Sequence, residues 1–334
     1  MKGRILITGT AGFVGHKILE NLLKTTELDI IGIERLNFSG NQKRIAEVVP
    51  NDQKHRYKTI HHDIRSAIND QVAKQLGEFD YIVHIAASSH VDRSIEDPMS
   101  FVLDNVVATC NILDFARGQK ALKRFVYFST DEVFGPAPIG VEYDEYARYN
   151  STNPYSATKA GGEELCVAYR NTYGVPVVIT HTMNVFGERQ HPEKFIPMCI
   201  SKINRGEVVE VHADSTCTVP GSRFYIHADD VADAVHFILE NNPDAGNTDQ
   251  CPKFNIVGKE EIDNLTLAQC IANAVGKPLN YELIDYHSSR PGHDLRYALS
   301  GKRMRIAGWE PKVSIRERIN EVVQWSLANS DWLD

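Results

Sequence analysis

Residues 4–15 read RILITGTAGFVG, a short apolar run that breaks into glycines at positions 9, 12 and 15. The run is aliphatic and β-branched, as a strand buried on both faces of a sheet must be. From Gly15 to Lys24 the apolar residues take helical spacing. Glycines at this junction let the chain turn tightly, let backbone N–H groups approach an anion, and let the helix pack close on the strand. The spacing is GxxGxxG rather than the commoner GxGxxG, and its place between a strand and a helix gives it weight.

Outward from this unit the pattern repeats. Arg4–Thr8, Asp29–Glu34, Arg56–Ile60, Tyr81–Ile85 and Arg124–Ser129 read as strands, and 15–24, 67–76 and 99–117 as amphipathic helices between them. Near-continuous apolar strands alternating with helices predict an α/β fold with a doubly wound parallel (Rossmann) sheet, since such crossovers are right-handed. After Gly187 the strands grow irregular and Pro and Gly recur. The expected division is a sheet domain over 1–187 with returns at about 227–258, and a smaller mixed α/β lobe from 188–226 and 259–334. Within the returns, 229–240 reads as a helix and 254–257 as a strand.

The 334 residues carry 44 acidic and 36 basic side chains, a net charge of −8, which argues against a nucleic-acid or anionic-membrane partner. Six scattered cysteines without a CxxC pair point to a reducing compartment. No leader and no unbroken apolar run of membrane length stand out, so the expectation is a cytoplasmic protein.

Three clusters carry the chemistry. Glu34 closes the second strand about 20 residues past the last glycine, where an acid accepts hydrogen bonds from an adenosine ribose and repels a 2′-phosphate. That favours NAD over NADP, although Arg35 beside it has the opposite charge. Asp63, followed by Ile64, is placed to reach the adenine side, and the neighbouring His61 and His62 lack the spacing of a metal pair, so no metal site is expected. Second, Asn153-Pro154-Tyr155 reads as a capped helix start that sets Tyr155 and Lys159 at i and i+4. A tyrosine titrates near 10 when unperturbed, and an adjacent lysine is expected to lower it. Third, Thr130, Asp131 and Glu132 follow the fifth strand, where ligands of open α/β sheets bind. Two adjacent carboxyls in a closed pocket cannot both ionise cheaply, so one serves as acid and the other as base.

GTAGFVG (9–15), HIAASSHVDRSI (84–95), STDEVFG (129–135), YSATK (155–159), PEKFIP (192–197) and RPGHDLRYA (290–298) together resemble the extended short-chain dehydrogenase/reductase family of nucleotide-sugar enzymes. Within it the nearest likeness is to the dTDP-glucose 4,6-dehydratases. The resemblance spans nearly the whole chain, and the Asp131-Glu132 pair is its most specific part. It implies an NAD cofactor contacted by Gly9, Gly12, Phe13, Val14, Gly15, Glu34, Asp63, Ile64, Ala86, Tyr155 and Lys159. It implies that Tyr155 takes the sugar 4-hydroxyl proton while Thr130 hydrogen-bonds at the same position. Lys159 holds the nicotinamide ribose, Glu132 removes the C5 proton, and Asp131 protonates the leaving C6 hydroxyl. Substrate contacts are implied for Ser88, Asn105, Asn184, Lys194, Arg223 and Arg290, and a homodimer for the assembly.

Three features depart from that pattern. Ser88 stands where those enzymes usually have glutamate, His181 stands where they have asparagine, and the 214–222 segment is longer than its counterpart. The nucleotide base, thymine or uracil, and the sugar's 2-substituent therefore stay open. So do a 4-epimerase or 5,6-dehydratase outcome and a non-catalytic NAD-binding module.

Overall fold

The computed structural model describes residues 1–36, 40–241, 250–285 and 295–333. Strands β1 (Lys2–Thr8), β2 (Glu27–Glu34), β3 (Tyr57–His61), β4 (Tyr81–His84), β5 (Arg124–Thr130) and β6 (Val177–Thr182) belong to one sheet. After three short strands, β7 (Val185–Phe186), β8 (Val209–Ala213) and β9 (Ser222–Arg223), and then β10 (Ile226–His227), the chain returns to that sheet as β11 (Lys253–Ile256). The order is β3-β2-β1-β4-β5-β6-β11, every pairing parallel. The last two strands, β12 (Ile262–Asp263) and β13 (Tyr281–Asp285), pair with β9 and β8, while β10 pairs with β7.

Alternation along β1 divides the core. Ile5 and Ile7 pack with Leu19 and Leu22 of the first helix (Phe13–Thr25) and with Val231, Val235 and Ile238 of the helix Ala228–Asn241. Leu6 points to the opposite face, against Ile112, Leu113 and Cys166 on the helices 98–117 and Pro154–Tyr173. This is the doubly wound arrangement the sequence predicts. A separate core of Cys199, Ile200, Val211, Ile271, Ile319 and Val323 holds the smaller lobe. The C-terminal segment 302–309 crosses back, since Met304 and Trp309 pack with β1 and β11 residues of the sheet domain rather than in the lobe.

The strand order reverses between β1 and β4, and there one hydroxyl links the two strand ends. Thr8 Oγ1 accepts from the N–H groups of Ile85 and Ala86 at 3.1 and 3.0 Å and so donates to His84 Nδ1 at 2.8 Å. His84 in turn donates from Nε2 to Thr109 at 3.0 Å. Burial, with the nearby Lys159 charge, depresses His84 to about 3, so it stays a neutral link. The crevice of a doubly wound sheet forms at such a reversal.

The 98–117 helix departs from the regular helix expected. Leu103–Val107 is a π-helical turn between α-helical segments Pro98–Val102 and Ala108–Arg117. By length and composition this stretch would also cross a membrane; here Phe101, Ala108, Ile112 and Ala116 are buried against the protein. All six cysteines are free thiols.

Candidate active site

The strand ends open into a cavity of about 570 Å³, within the size range of ligand pockets. Seventeen of the residues expected at the site line it. They are Thr130, Asp131, Glu132, Tyr155 and Lys159, the cofactor set Gly9, Gly12, Phe13, Val14, Gly15, Glu34, Asp63, Ile64 and Ala86, and Ser88, Asn184 and Lys194. Asn105 and Arg223 lie outside the lining. Asn105 is 1% exposed; its side chain accepts from Ser88 N and donates to Ser88 O and Thr158, which makes it a pin beneath the cavity wall. Arg223 stacks over Tyr297 and donates to the carbonyls of Ser222 and Leu295. Arg290 lies outside the described residues.

At the cofactor end the glycines are sterically required. A Cβ on Gly15 would sit 2.0 Å from the Gly9 carbonyl oxygen, and Gly9 has φ +81°, in the left-handed region. The first helix starts at Phe13 with Gly12 as N-cap and no side-chain cap, so its first N–H groups face the cavity as an anion cradle. These residues fit a dinucleotide diphosphate. Glu34 is held inward, Oε1 accepting from Thr10 Oγ1 at 2.7 Å and Ala11 N at 2.9 Å, while Tyr57 continues the chain to Thr10 at 2.7 Å. Burial raises the Glu34 pKa. Arg35 forks onto Asp104, a residue that sequence reading passed over because its neighbours on the helix are apolar.

At the reacting end, β5 delivers Thr130 as the N-cap of a short 3₁₀ turn, Asp131–Phe134. Thr130 Oγ1 donates to Asp131 Oδ1 at 2.9 Å, and Asn153 Nδ2 donates to Glu132 Oε2 at 3.0 Å. Asp131 Oδ2 is buried and has no partner among the described residues, as suits a proton donor aimed into the cavity. Burial, then the Asp131 charge, pushes Glu132 up to about 7, and burial raises Asp131 too. Both carboxyls are therefore held above their ordinary range, Glu132 further because the Asp131 charge lies beside it.

Tyr155 sits in the first turn of its helix beside Thr130, with its N–H on Ser94 Oγ at 3.1 Å. The N-cap expected at Asn153 is present and is completed as a capping box, with Asn153 accepting from Ser156 N at 2.9 Å and Pro154 in the first turn. The expected lowering of Tyr155 by Lys159 is not found: burial and the Glu132 and Asp131 charges drive Tyr155 upward instead. Lys159 lies 4.3 Å over the Tyr127 ring, and burial brings it down to about 8.

Behind these groups lies a wholly buried carboxylate. Glu163, one turn beyond Lys159, accepts from Ser129, Tyr149, His181 Nε2 at 3.1 Å and Lys253 at 3.2 Å. Burial alone would raise its pKa, yet His181, Lys253 and Ser129 hold it at about 2. Asn255 gives its amide hydrogens to the carbonyls of Tyr143 and Ser300, leaving its oxygen as the acceptor for His181 Nδ1 at 3.0 Å. His181 is thus bridged between Asn255 and Glu163 with no solvent exposure, and it lies outside the cavity lining. His/Asp/Glu groups close enough to hold a metal occur once among the described residues, at Glu188, His227 and Asp229. The Lys17 ammonium fills that position, 2.8 Å from Glu188 and 2.9 Å from Asp229.

A family model, the NAD dependent epimerase/dehydratase family, matches residues 5–256, from β1 to the end of β11. The chain belongs to this family. Its members use the dinucleotide that the glycine cradle fits. The dTDP-glucose 4,6-dehydratase of Salmonella typhimurium is 34% identical, covering 99% of this chain and 94% of that protein. The low-salt glycan biosynthesis protein Agl12 of Haloferax volcanii is 35% identical over 98% and 99% of the two chains. Among solved structures, DesIV of Streptomyces venezuelae, a dTDP-glucose 4,6-dehydratase with NAD and dTDP bound, superimposes with a TM-score of 0.86 at 32% identity over 99% of both chains.

The Glu163 cluster is the support that sequence reading missed. Its members are far apart in the chain, and a buried acid looks like any helix-surface acid in a one-dimensional pattern. Removing one partner of a buried ion cluster costs roughly 3–5 kcal/mol. Glu163→Gln is therefore expected to lower the denaturation midpoint by on the order of 10 °C. A melting curve that overlays the parent would mean the cluster is not ionised.

Proposed function

We propose that this chain is an NAD-dependent nucleotide-sugar 4,6-dehydratase, a hydro-lyase converting an NDP-glucose to the NDP-4-keto-6-deoxy sugar in the cytoplasm. The observation that carries it is the adjacent Asp131–Glu132 pair. Both acids are raised by burial, and both line one cavity with Tyr155, Lys159 and the glycine cradle. NAD held by the glycine cradle and Glu34 would supply a reversible hydride acceptor, which lets C4 of the sugar be oxidised and C6 reduced in one redox-neutral reaction.

The protein's own groups handle the protons. Tyr155 oxygen, hydrogen-bonded with Thr130, receives the proton of the 4-hydroxyl. With a ketone at C4 the C5 proton becomes acidic, and the Glu132 carboxylate, oriented by Asn153, removes it. Asp131, with Oδ2 directed into the cavity and Oδ1 held by Thr130, gives its proton to the departing C6 hydroxyl, and water leaves. Lys159 supplies the positive charge that stabilises a phenolate at position 155, an interaction that requires the ammonium to swing from the Tyr127 ring. The crowded carboxyls then act in sequence, one as base and one as acid.

Two copies of the chain are proposed to pair through the helices 98–117 and Pro154–Tyr173, whose outer sides expose Met99 at 64% and Tyr173 at 51%. Light scattering should then give twice the 37.5 kDa chain mass, and a single-chain mass overturns the pairing.

The test of the reaction is mass spectrometry of separate incubations with dTDP-glucose, UDP-glucose, UDP-N-acetylglucosamine and GDP-mannose in heavy water. Loss of one water with deuterium at C5 in one tube is expected. Isomerisation without water loss would make it an epimerase. Glu132→Gln should still form NADH transiently while losing no water, and full turnover by that variant would remove Glu132 as the base.

The pH profile carries a second expectation. Glu132 works ionised, so kcat/KM should rise with pH through about 7; Lys159 works protonated, so it should fall above about 8. A profile flat from about pH 6 to 9 would detach both groups from the rate.

A further inference from the structure

The adenosine end of the cavity carries two opposite signals. Glu34 disfavours a 2′-phosphate, yet Arg35 follows it directly, and a nearby guanidinium is the usual receptor for that phosphate. The fold commits the guanidinium elsewhere. Arg35 Nη1 and Nη2 donate to the two oxygens of Asp104 at 2.8 and 3.0 Å, a bidentate fork, and Asp63 lies 3.7 Å away. Arg65 is itself paired with Asp63, Nε donating at 2.9 Å, and lies 3.8 Å from Asp104.

Asp104 is built into place. It lies on the π-helical turn Leu103–Val107, which lets consecutive residues both reach Ser88. Ser88 Oγ donates to Asp104 Oδ2 at 2.6 Å, while Asn105 accepts from Ser88 N at 2.9 Å and donates to Ser88 O at 3.0 Å. The Asp104 side chain is only 11% exposed. Where the dehydratases this chain resembles have glutamate at position 88, a serine here receives a carboxylate from across the gap. Each cation along this stretch of the lining is already engaged: Arg35 forks onto Asp104, Arg65 pairs with Asp63, and Arg44 donates to the carbonyls of Ala11 and Arg189.

We propose that Asp104, held by Ser88, is a specificity-determining residue that keeps Arg35 from receiving a 2′-phosphate, so that the chain selects NAD and rejects NADP. The inference rests on reading the cavity as an NAD site and adds the residue that sets its preference. The bidentate fork is charge-assisted and takes the Nη1/Nη2 end of the guanidinium, so a phosphate monoester approaching Arg35 would meet the Asp104 carboxylate already paired there.

The test is titration of the full chain with NADH and with NADPH, followed by nicotinamide fluorescence and calorimetry. Asp104→Asn should shift the affinity ratio about tenfold toward NADPH, the scale of one charge-assisted hydrogen bond released. Adding Arg35→Ala to it should return the ratio to that of the parent. Arg35→Ala alone should leave the parent ratio in place, because the guanidinium is not reading the cofactor. An unmoved ratio in Asp104→Asn with NADH still bound overturns the proposal, and so does an Arg35→Ala protein that loses NADPH binding about tenfold. Should Asp104→Asn not fold, Ser88→Ala keeps the carboxylate but removes its anchor. It should shift the ratio in the same direction, and an unmoved ratio there counts against the proposal. A parent chain that binds neither nucleotide overturns the NAD-site reading and the Asp104 proposal with it.

Discussion

One buried charge ties the reacting groups together. Glu163 has no access to solvent, and an isolated carboxylate there would be costly enough to protonate or unfold the region. It persists because the Lys253 ammonium, the His181 ring and two hydroxyls converge on it, each from a different part of the chain. Ser129 comes from β5, His181 from β6, Lys253 from β11 and Tyr149 from the loop before the Tyr155 helix. Satisfying that one carboxylate fixes three neighbouring strands against the helix that carries Tyr155 and Lys159. It also fixes β5, whose next three residues are Thr130, Asp131 and Glu132. The reacting set is thus a rim built over an ion cluster, and its geometry is as rigid as the cluster is satisfied.

Desolvation then acts on that rim with opposite signs on opposite charges. The cavity raises Glu132 and Asp131, which lose a charge by protonating, and lowers Lys159, which loses a charge by deprotonating. Glu132 at about 7 and Lys159 at about 8 are thereby drawn close together, although an ordinary glutamate and lysine titrate about six units apart. Tyr155 is raised as well, because it is buried and has two acids beside it, while Lys159 rests on the Tyr127 ring.

The cofactor end shows the same economy in a different form. Glu34 is drawn inward by Thr10 and the Ala11 N–H, and the outer surface is handed to Arg35, Asp63, Arg65 and Asp104. A π-helical turn is an irregularity in the 98–117 helix, and it is the irregularity that brings Asp104 and Asn105 to one serine. Family membership extends over this region too, and the relatives' likeness at 34 and 35% identity leaves room for such a relocated carboxylate.

Much of this was legible one-dimensionally because it is local. The βα unit at 4–24 follows from apolar continuity and three glycines, and the Gly15–Gly9 approach explains why no other residue serves. The helix start at Asn153-Pro154 follows from cap chemistry, and the i, i+4 relation of Tyr155 and Lys159 follows from helix pitch. The parallel order followed from strand and helix alternation, since handedness rules leave few alternatives. Contacts between distant residues were not legible. That Asn105 holds Ser88, that Arg223 holds the Ser222 and Leu295 carbonyls, that His181 meets Glu163, and that Lys159 lies over the Tyr127 ring were all of this kind. The sequence by itself determined which elements form and which chemical groups stand at strand ends, because period, caps and glycines act over a few residues. Only the tertiary structure decided which charges meet and which are dry, because burial and ion pairing depend on segments a hundred residues apart arriving at one point.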